Sequence, residues 1–276
     1  MKYNYHTHTS RCFHARGTDE DYVLAAIKAG FDEIGFADHT PWKFDTDFVS
    51  NMRMHETQLK DYCDSIKSLR EKYKDKISIK LGLECEYFSK YLPWLKEVID
   101  EHEIDYIILG HHFAVDEHYG TYNGFLTTPD GIYNYRDDVV EAMETGLFSY
   151  VAHPDLFMRS YDKFDEACQK VSQDIINTAV RTGTPLEYNL LGIKHGICLG
   201  ERKEADWSGF YKELDEKMDL IRDELLERFE FQANQHVRNF PFLMGQGNWV
   251  GSEKLGPNDK LRDVIKHGTM EYTEGV

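Results

Sequence analysis

The chain has 276 residues, 41% of them hydrophobic, which is enough to bury the core of one large domain or two small ones. Its formal net charge of −17 argues against a nucleic-acid or anionic-membrane partner, because no basic surplus exists to neutralise phosphates. The five cysteines lack a CxxC spacing, and we find neither a signal peptide nor an apolar run near the ~20 residues that span a bilayer. We therefore expect a cytoplasmic enzyme or binding protein.

Strand-like and helix-like patterns alternate along the chain. The predicted strands cover residues 3–6, 34–37, 77–84, 106–109, 150–152 and 185–189. The predicted helices cover residues 19–29, 59–69, 91–104, 136–145, 164–182 and 212–227. This βα alternation predicts parallel strands joined by crossover helices, in an α/β barrel or an open sheet. Because no low-complexity segment or Pro/Gly/Ser-rich linker interrupts the pattern, we predict one domain over residues 1–276.

A His-x-His pair, His6 and His8, lies at the end of the first predicted strand. Residues two apart in a strand point to the same face, so the two imidazoles lie side by side. Imidazole is a ligand that suits zinc, manganese and iron. The pair predicts a metal site, provided that later segments bring further ligands to the same place.

Nearly every other predicted strand also ends in an imidazole or a carboxylate. These residues are Asp38, His39, Glu84, His111, His112, His153 and Asp155, and His14 lies in the first loop. Active groups of α/β barrels lie at the carboxyl ends of the strands, where these side chains would meet. A single such histidine is more often a core or capping residue, but a whole set is costly to bury unless its members are paired or ligated. The set exceeds the four or five ligands that saturate one zinc ion, which predicts more than one metal.

Five short motifs follow one another along the chain. They are His6-Thr7-His8-Thr9, Ala37-Asp38-His39-Thr40, Gly82-Leu83-Glu84, Gly110-His111-His112-Phe113 and Ala152-His153-Pro154. In type and order they resemble the motifs of the PHP superfamily (polymerase and histidinol phosphatase). The loop Cys12-Phe13-His14 and the stretch from Phe36 to Pro41 are most similar to the histidinol-phosphatase branch. The resemblance covers roughly residues 1–200 and implies a distorted (β/α)7 barrel that holds two or three zinc, manganese or iron ions.

The resemblance also implies which residues bind each metal. The first ion would be held by His6, His8 and Glu84, the second by Glu84, His112 and His153, and the third by His14 and His39. His112 is preferred to His111 because the family's ligand precedes an apolar residue, here Phe113. A hydroxide bridging the metals, held by Glu84 and His153, would attack phosphorus in line. Glu86 is interpreted either as a support of the ligands or as solvent-facing, and Asp38 as a residue that orients a ligand or caps the turn.

The last motif of the family, Asp-x-His, has no clear counterpart. The nearest stretch, 250–257, puts Glu253 at the aspartate position and Leu255 at the histidine position. Glutamate can replace aspartate as an oxygen ligand, whereas leucine cannot replace histidine. Either the chain has diverged from about residue 201, so that His236 or another residue reaches the site, or this tail is not a native barrel end. In each case the third metal would lose a ligand.

Three cations are candidates for binding a substrate phosphate. Arg159 follows the strand-end motif of His153, Lys194 follows the sixth predicted strand, and Arg16 lies in the first loop. For Arg16 and Lys194 a solvated surface charge is at least an equal interpretation. Glu187 and Asn189 either support the site or are structural, and the aromatic loop 42–48 is a candidate wall for an imidazole-bearing substrate.

The function that the resemblance implies is hydrolysis of L-histidinol phosphate to histidinol and phosphate, in histidine biosynthesis. The first alternative is a PHP-type phosphatase or phosphodiesterase for another small phosphate ester. The second is a degenerate member whose incomplete metal site serves binding only. A proofreading domain attached to a polymerase is disfavoured by the charge of −17.

Overall fold

The computed structural model describes residues 2–161 and 164–187, which form an α/β fold with a curled, five-stranded parallel half-barrel. The strands are β1 (Tyr3–Thr7), β2 (Glu33–His39), β3 (Ser78–Cys85), β4 (Tyr106–Leu109) and β5 (Tyr150–Val151), hydrogen-bonded in that order. The helices are α1 (Asp19–Lys28), α2 (Leu59–Tyr73), α3 (Leu92–His102), α4 (Pro129–Glu144) and α5 (Glu166–Thr182). The predicted alternation of strands and helices is therefore confirmed over these residues.

Local sequence explains where the first helix begins and ends. The Thr18 side chain accepts the backbone N–H of Asp21, and the Asp21 side chain accepts that of Thr18, which completes a capping box. Gly30 follows the helix with a φ of 72°, a left-handed conformation that glycine adopts without steric cost. Helix α1 thus lies where its capping signals predict it.

Helix α4 begins seven residues earlier than predicted, at Pro129 instead of residue 136. Thr128 is its N-cap and accepts the backbone N–H of Gly131, and Pro129 lies in the first turn, where no intrahelical hydrogen bond is needed. The prediction missed this Thr-Pro signal because the polar residues that follow it mask the helical period. Ile132 and Tyr135, which it left out, are buried in the core.

The carboxyl ends of the five strands meet at one edge of the sheet, and glycine makes room for the side chains there. A Cβ atom on Gly110, just after β4, would collide with the carboxylate of Glu84. Lower in the sheet, the Tyr106 ring covers Gly35 and Gly82, and its hydroxyl donates to the carbonyls of Tyr5 and Phe36. The Tyr106 side chain therefore fills the space in the sheet below the strand ends.

The sheet continues beyond β5. Leu186 forms a parallel bridge with Val151, and the N–H of Glu187 donates to the Val151 carbonyl at 2.8 Å. This pairing coincides with the start of the predicted strand 185–189. The rest of that strand, the helix 212–227, and the candidates Lys194, His236 and Glu253 lie outside the described residues. Over the described part of the chain, no helix has the length and apolar character that crossing a membrane requires.

Candidate metal centre

The carboxylate of Glu84, fully buried at the end of β3, is surrounded by five imidazoles. The distances from its two oxygens to the nearest ring nitrogen are 2.9 Å for His153, 3.0 Å for His39, 3.2 Å for His8, 3.3 Å for His6 and 3.5 Å for His112. The parallel register explains the convergence, because Cα partners across the sheet include His39 with Glu84. All five imidazoles belong to the predicted ligand set.

The donor atoms fall into three overlapping groups in which each atom lies within 4.8 Å of the others. The groups are His6, Glu84 and His153; His39, Glu84 and His112; and His8, Cys12, His14 and His39. The structure thus brings together every predicted ligand among the described residues. It also adds Cys12, which the sequence interpretation used only as part of a loop motif.

The chemistry of these buried atoms fits divalent cations. Among the described residues, Nε2 of His6, both ring nitrogens of His8, Nδ1 of His39 and Oε2 of Glu84 make no hydrogen bond of proper geometry, although three of these nitrogens lie within 3.3 Å of Oε2. Buried polar atoms without partners cost free energy, and such atoms are rare in folded proteins. A cation between the imidazoles and the carboxylate would satisfy them, since neutral imidazole and carboxylate are zinc, manganese and iron ligands.

Glu187 contacts two of the predicted ligands, His6 and His153. Its Oε1 lies 2.9 Å from Nδ1 of His6, and its Oε2 accepts the backbone N–H of His153 at 2.7 Å. A carboxylate that accepts the Nδ1–H of a histidine leaves Nε2 for a metal and fixes the ring. His153 has a φ of 30°, a region disfavoured for residues other than glycine, and the bond from Glu187 helps to hold it there. Of the two interpretations of Glu187, the structure favours support of the site.

Glu86 supports His112 in the same way and is not solvent-facing. Its Oε1 lies 3.2 Å from Nδ1 of His112, and it forms a two-pronged ion pair with Arg53 at 2.8 and 2.9 Å. Trp42 also donates its indole N–H to Glu86, at 2.7 Å. Arg53 continues to the carboxylate of Glu117 at 2.6 Å, and all four polar residues of this network are buried. The sequence interpretation did not include Arg53, because nothing in the local sequence indicates that an arginine in a loop is buried.

Asp38 holds the turn that follows β1. It accepts the backbone N–H of Thr9 at 2.5 Å and also the hydroxyl of Thr9, and its Oδ1 lies 3.8 Å from Nδ1 of His8. Both parts of the prediction for Asp38 describe this position, beside a ligand and at a turn. Cys12, three residues after Thr9, accepts the backbone N–H of His39 at 3.3 Å.

Burial and neighbouring charge move the pKa values of the imidazoles in opposite directions. Burial opposes the charged form of His6, but Glu84 and Glu187 outweigh it and raise its pKa to about 10. Burial lowers the pKa of His39 well below its usual value and that of His14, which also faces His8, to about 4. The surrounding histidines keep the pKa of Glu84 well below its usual range despite its burial. The metal-free centre therefore contains an ionised Glu84 and neutral His39 and His14, the forms that bind metals, whereas His6 is protonated at neutral pH and would release its proton on binding a metal.

His111 occupies a different environment from its neighbour His112. Its Nε2 lies 3.0 Å from Oδ2 of Asp138 on α4, and its Nδ1 accepts the backbone N–H of Tyr87 at 3.3 Å. Both ring nitrogens are therefore engaged away from Glu84, as the sequence interpretation expected.

Arg159 lies at the edge of the centre. Its guanidinium donates to the Tyr122 hydroxyl at 2.9 Å, and the Tyr122 ring stacks on the His112 ring with centroids 6.3 Å apart. Arg16 is exposed in the loop after His14, where its carbonyl accepts the hydroxyl of Tyr22. Of the two proposed phosphate-binding cations that the structure describes, Arg16 and Arg159, it is Arg159 that contacts a neighbour of a predicted ligand.

An open pocket with a volume of about 200 Å³ borders the loop that carries Cys12 and His14. Phe13 contributes one wall, and Trp42, Phe44 and Phe48 of the predicted aromatic loop contribute another. Trp42 is the most buried of these rings, and its indole N–H donates to Glu86. Polar residues, among them Lys43 and Gln58, line the rest of the pocket, so it offers aromatic and polar surface together.

Two family models match the chain, and they meet at one residue. The model described as "PHP domain" matches residues 4–189, and the one described as "Anaerobic ribonucleoside-triphosphate reductase" matches residues 189–275. The stretch 250–257, which contains the weak counterpart of the missing Asp-x-His motif, therefore lies in the part that matches the reductase model.

Curated relatives and a solved structure agree with the first model. The chain is 30% identical over 161 residues to "Probable histidinol-phosphatase" of Deinococcus radiodurans, which is 55% of this chain and 59% of that protein. It is 30% identical over 114 residues to the histidinol-phosphatase of Bacillus subtilis, which is 39% of this chain and 42% of that protein. The chain thus spans about half the length of the curated relatives it matches.

Among solved structures, the chain is similar in fold to a histidinol phosphate phosphatase from Lactococcus lactis, which was solved in complex with zinc, L-histidinol and phosphate. The superposition has a TM-score of 0.60 at 19% sequence identity and covers 88% of this chain and 95% of that chain. Because the PHP model matches well over half of the residues and the predicted ligands meet where its motifs lie, the chain belongs to the PHP domain family.

Proposed function

We propose that the protein is a metal-dependent phosphomonoesterase that hydrolyses L-histidinol phosphate to histidinol and phosphate. The observation that carries this proposal is the ring of five buried imidazoles around the Glu84 carboxylate, with unpartnered donor atoms turned toward it. The names of the curated relatives support the choice of substrate, as do histidinol and phosphate in the Lactococcus complex.

Two or three divalent ions, of zinc, manganese or iron, would occupy the centre. The predicted assignment remains our proposal: His6, His8 and Glu84 for the first ion, Glu84, His112 and His153 for the second, and His14 and His39 for the third. Such ions polarise phosphoryl oxygens and lower the pKa of water into the neutral range. The short approaches of all five rings to Glu84 support a shared carboxylate between two ions.

The protein's own residues would orient the ligands and the substrate. Glu187 and Glu86 hold the rings of His6 and His112, so that one nitrogen of each ring stays directed at Glu84. Arg159, placed beside His112 by Tyr122, would donate to the phosphate oxygens. The aromatic pocket of Phe13 and the loop 42–48 would receive the imidazole of the substrate.

Four further predictions also remain proposals. A distorted (β/α)7 barrel is supported by five parallel strands and the bridge of Leu186. The single domain over 1–276, with a divergent part from about residue 201, stays a prediction; the match of residues 189–275 to another family model supports the divergence. Glu253 and Lys194 stay predicted site residues. We expect no nucleic-acid partner, given the charge of −17.

The experiment is phosphate release by the full chain after loading with zinc or manganese. Histidinol phosphate is compared with a panel of sugar phosphates, nucleotides and a phosphodiester. We expect turnover of histidinol phosphate and a large loss of turnover in Glu84→Gln and His153→Ala, whereas His102→Ala on α3 serves as the histidine control. A preference for another ester would leave the chemistry in place and contradict the substrate. Less than about one equivalent of bound metal would instead favour the degenerate alternative.

A further inference from the structure

A sulfur donor lies among the imidazoles at the first loop. The Sγ of Cys12 and one ring nitrogen each of His8, His14 and His39 all lie within 4.8 Å of one another. We propose that Cys12 is a ligand of the ion that His14 and His39 bind, so that this ion has a mixed sulfur and nitrogen coordination. The inference extends the proposed metal centre and is independent of which phosphate ester is the substrate.

The conformation of the loop brings Cys12 and His14 to the same neighbour. Phe13, between them, has a left-handed φ of 62° and directs a side chain that is 62% exposed into solvent. The Sγ of Cys12 accepts the backbone N–H of His39, and Nε2 of His14 lies 3.2 Å from Nε2 of His39. A thiolate that receives a backbone N–H while binding a metal is held in place by that hydrogen bond.

The donor atoms of the cluster are poorly satisfied by the protein alone. Both ring nitrogens of His8 and Nδ1 of His39 are buried and have no hydrogen-bond partner within the described part of the chain. The facing nitrogens of His14 and His39 form one hydrogen bond at most, since a neutral imidazole has a single N–H. A cation held by Cys12, His14 and His39 would satisfy the facing nitrogens of the two rings, and cysteine and histidine are the usual ligands of zinc.

The alternative is that Cys12 is a buried thiol that packs against its neighbours and binds no metal. Cys12 lies close enough to Asp38 for its S–H to donate to that carboxylate, and free cysteines are commonly buried. Ligation makes a different prediction, because a thiolate selects zinc or cobalt over magnesium, calcium and manganese. A cation that binds a thiol also displaces its proton.

The test is cobalt substitution of the full chain, since cobalt bound to a thiolate gives an intense sulfur-to-metal charge-transfer absorption in the near ultraviolet. We expect this band in the wild-type protein and its loss in Cys12→Ser, which keeps a donor for Asp38. Cys168→Ser, at another buried cysteine on α5, and Cys198→Ser should keep the band. X-ray absorption of the zinc-loaded wild-type protein should show a sulfur neighbour at ~2.3 Å.

The outcomes separate the two proposals. The inference is overturned if wild-type protein lacks the band, if Cys12→Ser keeps it, or if the zinc neighbours are all nitrogen or oxygen. The X-ray absorption measurement on zinc-loaded wild-type protein shows whether sulfur is a ligand even if Cys12→Ser fails to fold. Because neither readout uses turnover, a sulfur ligand in a protein that ignores histidinol phosphate would support Cys12 and contradict the substrate.

Discussion

The buried ion network behind His112 leads to a quantitative prediction for Arg53→Met. Arg53 is 2% exposed, and its guanidinium bonds the carboxylates of Glu86 and Glu117 and the carbonyl of Thr40. Methionine has a comparable reach but no charge, so two buried carboxylates lose their cation.

The expected cost follows from the partners that remain. Removing one member of a buried ion pair costs about 3–5 kcal/mol, because the other charge is left uncompensated. Glu86 would keep bonds from Trp42 and His112, and Glu117 would keep the Ser50 hydroxyl. We therefore expect the lower end, about 3 kcal/mol, which at a urea dependence of about 2 kcal/mol per molar lowers the unfolding midpoint by roughly 1.5 M.

Urea unfolding of the full chain, followed by far-ultraviolet circular dichroism, measures this shift. Lys60→Met is the control, since Lys60 pairs with Asp64 in solvent and its loss should leave the midpoint close to that of wild type. Adding Glu86→Gln to Arg53→Met should recover part of the loss, because it removes the uncompensated charge. A shift below about 0.5 M, or a double variant less stable than Arg53→Met, would contradict the expected cost.

Three further predictions concern the metal centre. Glu187→Gln should weaken zinc binding by about 10–100-fold, since it loosens the support of His6; competition with a chromogenic chelator measures this, and unchanged affinity would contradict the supporting role. Gly110→Ala should lower both the metal content and the unfolding midpoint, because its methyl group displaces the Glu84 carboxylate; a variant with full metal content would show that the approach is not tight. In metal-free protein the pKa of His6 is raised from 6.5 to about 10. The contribution of protonated His6 to the free energy of unfolding is therefore complete below pH 6.5 and is lost as the pH rises through 10. The difference in that free energy between wild type and His6→Gln should shrink from pH 6 to pH 10, and a constant difference would contradict the prediction.

The sequence by itself determined the candidate ligands that meet and the order of the elements over the described residues. His6, His39, Glu84 and His153 each lie within two residues of the end of a strand, and in a parallel sheet all strand ends meet at one edge, so their positions along the chain predict their convergence. The capping box of α1 could also be predicted from the sequence, because its two residues, Thr18 and Asp21, interact over a single helical turn.

Only the tertiary structure decided how these ligands are held. Arg53 reaches Glu86 across 33 residues and Glu187 reaches His6 across 181, and no local pattern encodes contacts between loops and strands so far apart. The same holds for Cys12: its place among three imidazoles depends on the left-handed turn at Phe13 and on the position of β2, which a spacing of residues does not show. Position along the chain therefore predicted which residues meet, whereas packing decided which of their atoms face one another.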